Sequence, residues 1–149
     1  MEHIMPNSAK PGRLQRGATL LEAMVGILIF SLGILALVGM QALAIKQVTD
    51  AKYRSDASFF ANQIIGEMWV NRTNVGSYDY TGTGTPPTAL TNWVTSVEST
   101  LPGVSSAANR PTVTVTGAAP NWTVTVTVFW QPPSTTTPHS HITIAYING

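Results

Sequence analysis

One carboxylate in this chain stands where a carboxylate is costly. Glu22 lies among Leu20, Leu21, Ala23, Met24 and Val25, at the mouth of an apolar run that continues to Met40. From Ala23 to Met40 the only polar side chain is Ser31. A charge at the edge of a membrane-length segment costs roughly 2–3 kcal/mol or more unless it has a partner. The chemistry Glu22 can do is therefore charge pairing with a cation that the chain must bring to it. Gly17, five residues earlier, is the second unusual residue, because it interrupts a stretch that otherwise favours helix and gives close access to the backbone.

The remaining candidates for chemistry are weaker. His139-Ser140-His141 spaces two imidazoles to one side of a strand, but no third metal ligand is near in sequence, so solvated surface residues are the expectation. No acid and no nucleophile elbow accompanies Ser140, which leaves no triad. Asn71-Arg72-Thr73 and Asn121-Trp122-Thr123 match the glycosylation sequon, a pattern short enough to arise by chance. Gly82-Thr83-Gly84 lacks the strand and helix of a phosphate loop. The sequence contains no Cys, which excludes disulfides, thiolate metal sites and a Cys nucleophile. No catalytic constellation, metal site or cofactor is expected, and the chain reads as a non-enzyme.

The elements that position Glu22 follow from composition. Ala18 to Met40 is 23 residues, about 34 Å as a helix, against about 30 Å for the core of a bilayer. Lys10, Arg13 and Arg16 precede it, and the positive-inside rule puts that end in the cytoplasm and the rest of the chain across the membrane. A plain anchor explains the length and the cations, but neither Glu22 nor Gly17. A secretory signal cut after Ala42-Leu43-Ala44 would release a soluble exported domain, although this run exceeds the roughly 7–15 residues of a usual signal core.

The stretch RGATLLEAMVGILIFSLGILALVGMQ, Arg16 to Gln41, resembles the N terminus of type IV prepilins and type II secretion pseudopilins. In that resemblance Gly17 ends a basic leader, Ala18 is the first mature residue, and Glu22 is the family's Glu at the fifth mature position. Ala18 departs from the usual Phe. The resemblance implies cleavage between Gly17 and Ala18 by a prepilin peptidase, which also N-methylates Ala18. It further implies charge pairing of Glu22 with a mature N terminus during assembly. Within the family, Ser31, Gly33, Gly39 and Gln41 are most similar to minor pilins of the PilV type. Those subunits join other minor pilins and the major pilin through an inner-membrane assembly platform, near the filament tip and possible tip adhesins. A minor pseudopilin of a type II secretion system is the alternative.

These expectations divide the chain into a leader, 1–17, a transmembrane and filament-core segment, 18–40, and a periplasmic globular domain, 41–149. No Pro interrupts Gln41 to Val70, and apolar or small residues recur at Ile45, Val48, Ala57, Phe60, Ala61, Ile64, Ile65 and Met68. That spacing predicts one helix from about Ala18 to about Val70, bare in its first half and amphipathic in its second, with a kink near Gly39 to Gln41 as the alternative. Asn71 to Thr88 reads as a loop. Leu90, Trp93, Val94, Val97 and Leu101 predict a short helix stopped at Pro102-Gly103. Thr112–Thr116, Trp122–Trp130 and His141–Ile147 alternate with period two and predict strands of a three- or four-stranded antiparallel sheet. Its apolar face, with Val124, Val126, Val128 and Trp130 and with Ile142, Ile144 and Tyr146, should pack on Phe60, Ile64 and Met68, leaving a Thr wall outside. All four Trp residues are expected in the core. The fold class is therefore α+β and pilin-like, a long N-terminal helix packed on a small antiparallel sheet.

Lys and Arg total 8 and Asp and Glu total 7. After a cut at Gly17 five basic residues face six acidic ones, which offers no basic surface for nucleic acid.

Overall fold

The computed structural model describes residues 15–105, 108–133 and 135–148. The expected leader lies outside these residues except for its last three positions. The chain forms α1 (Gln15–Val70), α2 (Thr91–Thr100), β1 (Thr112–Ala118), β2 (Asn121–Trp130) and β3 (His139–Asn148). The fold is α+β and pilin-like: a long N-terminal helix, apolar enough to cross a membrane, followed by a three-stranded antiparallel sheet of order β1-β2-β3.

α1 is unbroken through Gly33, Gly39 and Gln41, so the alternative of a kink there does not hold. The chain divides between Ile45 and Lys46 into two compact units. In the first, every residue from Gly17 onward is exposed. The second contains the core. There α1 presents Ala57, Phe60, Ala61, Ile64, Ile65 and Met68, all buried, to the sheet and to α2. Ile45 and Val48 were expected to extend this stripe, yet they are 67% and 70% exposed. The stripe begins only where the sheet and α2 have side chains to meet it.

α2 buries Trp93, Val94 and Val97 on one face. Trp93 Nε1 donates to the Phe60 carbonyl at 2.9 Å, which ties α2 to α1 inside the core. α2 stops at Pro102-Gly103, as its sequence requires. Gly103 has φ +71°, and a Cβ there would lie 2.8 Å from the Gln131 Cβ, so the turn can press against the end of β2 only as glycine. Gln131 N then donates to the Pro102 carbonyl at 2.8 Å.

The segment expected as loop between α1 and α2 is partly ordered by short-range bonds. Two short 3₁₀ turns meeting at a kink at Asn74 span Arg72–Tyr78, with Val75 and Tyr78 buried. Apolar residues three apart suit a 3₁₀ turn, and the polar composition concealed that pairing.

The sheet corrects one expectation. β2 turns Val124, Val126, Val128 and Trp130 inward, all buried. Antiparallel register places Ile142 opposite Thr127, Ile144 opposite Thr125 and Tyr146 opposite Thr123. Directly paired residues share a face, so Ile142, Ile144 and Tyr146 point outward and are 59%, 58% and 68% exposed. The residue of β3 that reaches the core is Ile147. The outer face is a Thr wall over β1 and β2 and an apolar stripe over β3. Trp93 and Trp130 are core residues as expected and Trp122 is partly buried, but Trp69 is 43% exposed. It follows Met68 on the helix by about 100°, which turns it off the buried stripe.

Candidate functional site

Gly17, Ala18 and Glu22 all lie in α1 and are exposed. Ala18 and Glu22 are four residues apart in regular helix, so they share one face a turn apart. Their elements follow from sequence: Leu20, Leu21, Met24, Val25 and the residues beyond are helix formers of high hydropathy, with no Pro and no run of β-branched residues.

The polar groups of this helix are treated differently. Ser31 Oγ donates to the Ile27 carbonyl at 2.7 Å, so the one hydroxyl of the apolar run is satisfied within its own helix. Glu22 has no hydrogen bond or ion pair among the described residues. Its charge is available to a partner outside the described residues.

The surroundings of Gly17 are equally open. A Cβ built there meets nothing within 4 Å.

Residues 12–38 match the family described as the prokaryotic N-terminal methylation motif. This match supports an N terminus of the prepilin type, as in type IV pilin-like proteins, and such a motif implies processing by a prepilin peptidase and assembly with pilus components. The matched segment contains Gly17, Ala18 and Glu22 and the first part of the apolar helix. No curated protein and no solved structure matches the chain.

The other sequence candidates are placed as follows. Among the described residues, no group of three or more His, Asp or Glu side chains could hold a metal ion. His139 and His141 are half-buried rather than solvated, because both point inward from β3. His139 stacks on Trp130, ring centroids 5.6 Å apart, and His141 Nε2 is 3.1 Å from Thr143 Oγ1. Asn71 Nδ2 donates to the Tyr78 hydroxyl at 3.2 Å, so this sequon side chain is engaged within the fold. Asn121 is exposed at the β1–β2 turn. Ala42-Leu43-Ala44, the signal-type cut considered as an alternative, lies inside continuous helix.

Sequence reasoning missed one feature, an open groove beside β3 that contains Arg54, Phe59 and His141. The sequence marks an uncharged, Pro-free strand from His139 to Asn148 but carries no signal for the groove itself.

Proposed function

We propose that this chain is a minor type IV pilin of the PilV type, made as a precursor and cut between Gly17 and Ala18. The observation that carries the reading is the prepilin-type motif over residues 12–38 in register with an exposed apolar helix and a Glu22 that has no partner among the described residues. The new α-amine at Ala18 is N-methylated by the peptidase. Residues 18–40 hold the subunit in the inner membrane as a single span, with 41–149 in the periplasm, until it is drawn into a filament.

Glu22 then acts as a register key. Cleavage creates a cationic amine on Ala18, and in a filament the amine of an arriving subunit meets the Glu of a neighbour among apolar helices. Opposite charges about 4 Å apart attract by about 4 kcal/mol at an effective dielectric near 20. Much of that only offsets their desolvation, but a charge left unpaired costs about 3–5 kcal/mol. The pair therefore penalises subunits that dock out of register.

A minor pseudopilin would use the same N terminus. Ser31, Gly33, Gly39 and Gln41 favour the pilin assignment, and co-purification separates the two. The mature protein should accompany other minor pilins and the major pilin in sheared filaments. Recovery only with components of a type II secretion system would replace the reading with the pseudopilin.

A further inference from the structure

The two edges of the sheet are finished differently. Along β1, Tyr80 and Val113 exchange two backbone hydrogen bonds of 2.8 and 2.9 Å, and the Asp79 carboxylate accepts from Val115 N–H at 2.9 Å. That edge is capped. β3 forms the other edge, and among the described residues no strand or bridge lies beyond it. It runs ten residues with continuous register and contains no Lys, Arg, Asp, Glu or Pro. Unpaired edges are normally blunted by charge, Pro or a bulge, because their free N–H and C=O groups are a template for another strand.

The core is less fully covered on this side. Val124, Val126, Val128 and Trp130 of β2 are buried, whereas of the inward residues of β3 only Ile147 is buried and His141, Thr143 and Ala145 are half-buried. Between β3 and α1 lies an open groove of about 720 Å³, with Ala51, Arg54, Ser58 and Phe59 on the helix and His141 on the strand. Phe59 is 66% exposed there. Arg54 is the one charged residue of the lining and has no ion pair or hydrogen bond among the described residues.

We propose that β3 is a docking edge for an extended segment of another protein, added as a fourth strand that brings a carboxylate to Arg54 and an apolar side chain to Phe59. Main-chain pairing of this kind supplies affinity, and the side chains facing the groove supply selectivity. Charge complementarity argues against a second copy as the occupant. An identical β3 carries no acid to meet Arg54, and its own groove would bring a second Arg54. The inference concerns residues 46–149 and does not depend on how the N terminus is processed.

The full chain in detergent micelles tests this with end-capped nine-residue peptides of alternating valine and threonine. One carries a central glutamate and its counterpart a central lysine. Hydrogen exchange of the β3 amides, read by mass spectrometry, reports strand addition. The glutamate peptide should slow exchange across residues 139–148 and bind about fivefold more tightly than the lysine peptide, the scale of exchanging attraction for repulsion at a partly exposed charge. Arg54→Glu should reverse that order. Because Arg54 is exposed, the fold should survive the change. No protection of β3 by either peptide, or equal affinity for both in wild type and Arg54→Glu, would overturn the proposal. Protection that grows with protein concentration in the absence of peptide would assign the edge to a second copy and overturn it equally.

Discussion

The two parts of α1 are one helix with two solvents. From Gly17 to Val48 no residue is buried, although most are apolar. From Ala57 to Met68 the apolar residues on one side are buried against the sheet and α2, and the opposite side is polar and exposed with few exceptions. Hydropathy alone does not distinguish a buried stripe from a bare rod, but its angular distribution does. An apolar arc on one face indicates a helix with a protein partner in its own chain, and apolarity all round indicates that the partner is lipid or other helices. In the function proposed above, the first part carries its information in single residues at its start, Gly17, Ala18 and Glu22. The second carries it in packing.

The largest predicted effect belongs to the first part. Gly17→Val should abolish processing and leave a membrane-held precursor about 17 residues longer than the mature chain, visible as a mobility shift and by intact mass. A Cβ at Gly17 meets nothing within 4 Å, and Val is no worse a helix former than Gly. Failure to cut would thus report recognition of the backbone and not misfolding. Normal processing of this variant would place the cut elsewhere.

The next effect belongs to the second part. In a fragment spanning residues 41–149, which should be soluble and folded, Phe60→Ala should lower stability by about 3–5 kcal/mol, the usual range for a buried Phe. Phe59→Ala, at the adjacent but exposed position, should change it by less than about 1 kcal/mol. Phe60 is 8% exposed and Phe59 66%, so urea midpoints of the two variants measure how sharply the buried arc ends. Equal losses would mean that the arc is wider than the structure shows.

This arc was legible in sequence because a helix samples its surroundings every 3.6 residues, and Phe60, Ile64 and Met68 repeat on that period. The sheet was legible to the level of its strands, but the inward direction was not legible for β3. An alternating pattern fixes which residues share a face and leaves open which face meets the core. Ile142, Ile144 and Tyr146 are the more apolar set, yet register with Thr127, Thr125 and Thr123 turns them outward. Trp69 was misplaced for a related reason: residue type favours burial on average, while its helical angle decides the case. The prepilin-type motif was legible without any packing argument. Its signal is order along the chain, Gly, then Glu five residues on, then an uninterrupted apolar run, which survives in one dimension. The open groove beside Arg54 was not legible, because Arg54 and His141 meet only through the fold.

A third effect returns to the first part and is one of assembly. Glu22→Ala should leave cleavage and membrane insertion intact and strongly reduce recovery of the mature variant with other pilins. Glu22→Asp, with a shorter reach, should be intermediate. Wild-type incorporation of Glu22→Ala would reduce Glu22 to a helix-end charge and remove the pairing mechanism.

The smallest effect refines the second part. Trp93→Phe removes the indole N–H that donates to the Phe60 carbonyl at 2.9 Å and retains most of the ring. Stability should fall by about 1–2 kcal/mol, a lost hydrogen bond with some lost packing. No change in the unfolding midpoint would show that water replaces the indole and that α2 is held by apolar contact alone.

The central claim is that the bare part of α1 begins at a prepilin-type cut, and the mature N terminus tests it most directly. The protein should be expressed in a strain with an active prepilin peptidase, extracted from membranes or sheared filaments, and its N-terminal residues read by mass spectrometry. The first residue should be Ala18, carrying one added methyl group on its α-amine, followed by Thr19-Leu20-Leu21-Glu22. A mature chain beginning at Ile45 would make it a secreted domain released after Ala44, and an N terminus still upstream of Gly17 would contradict prepilin processing altogether.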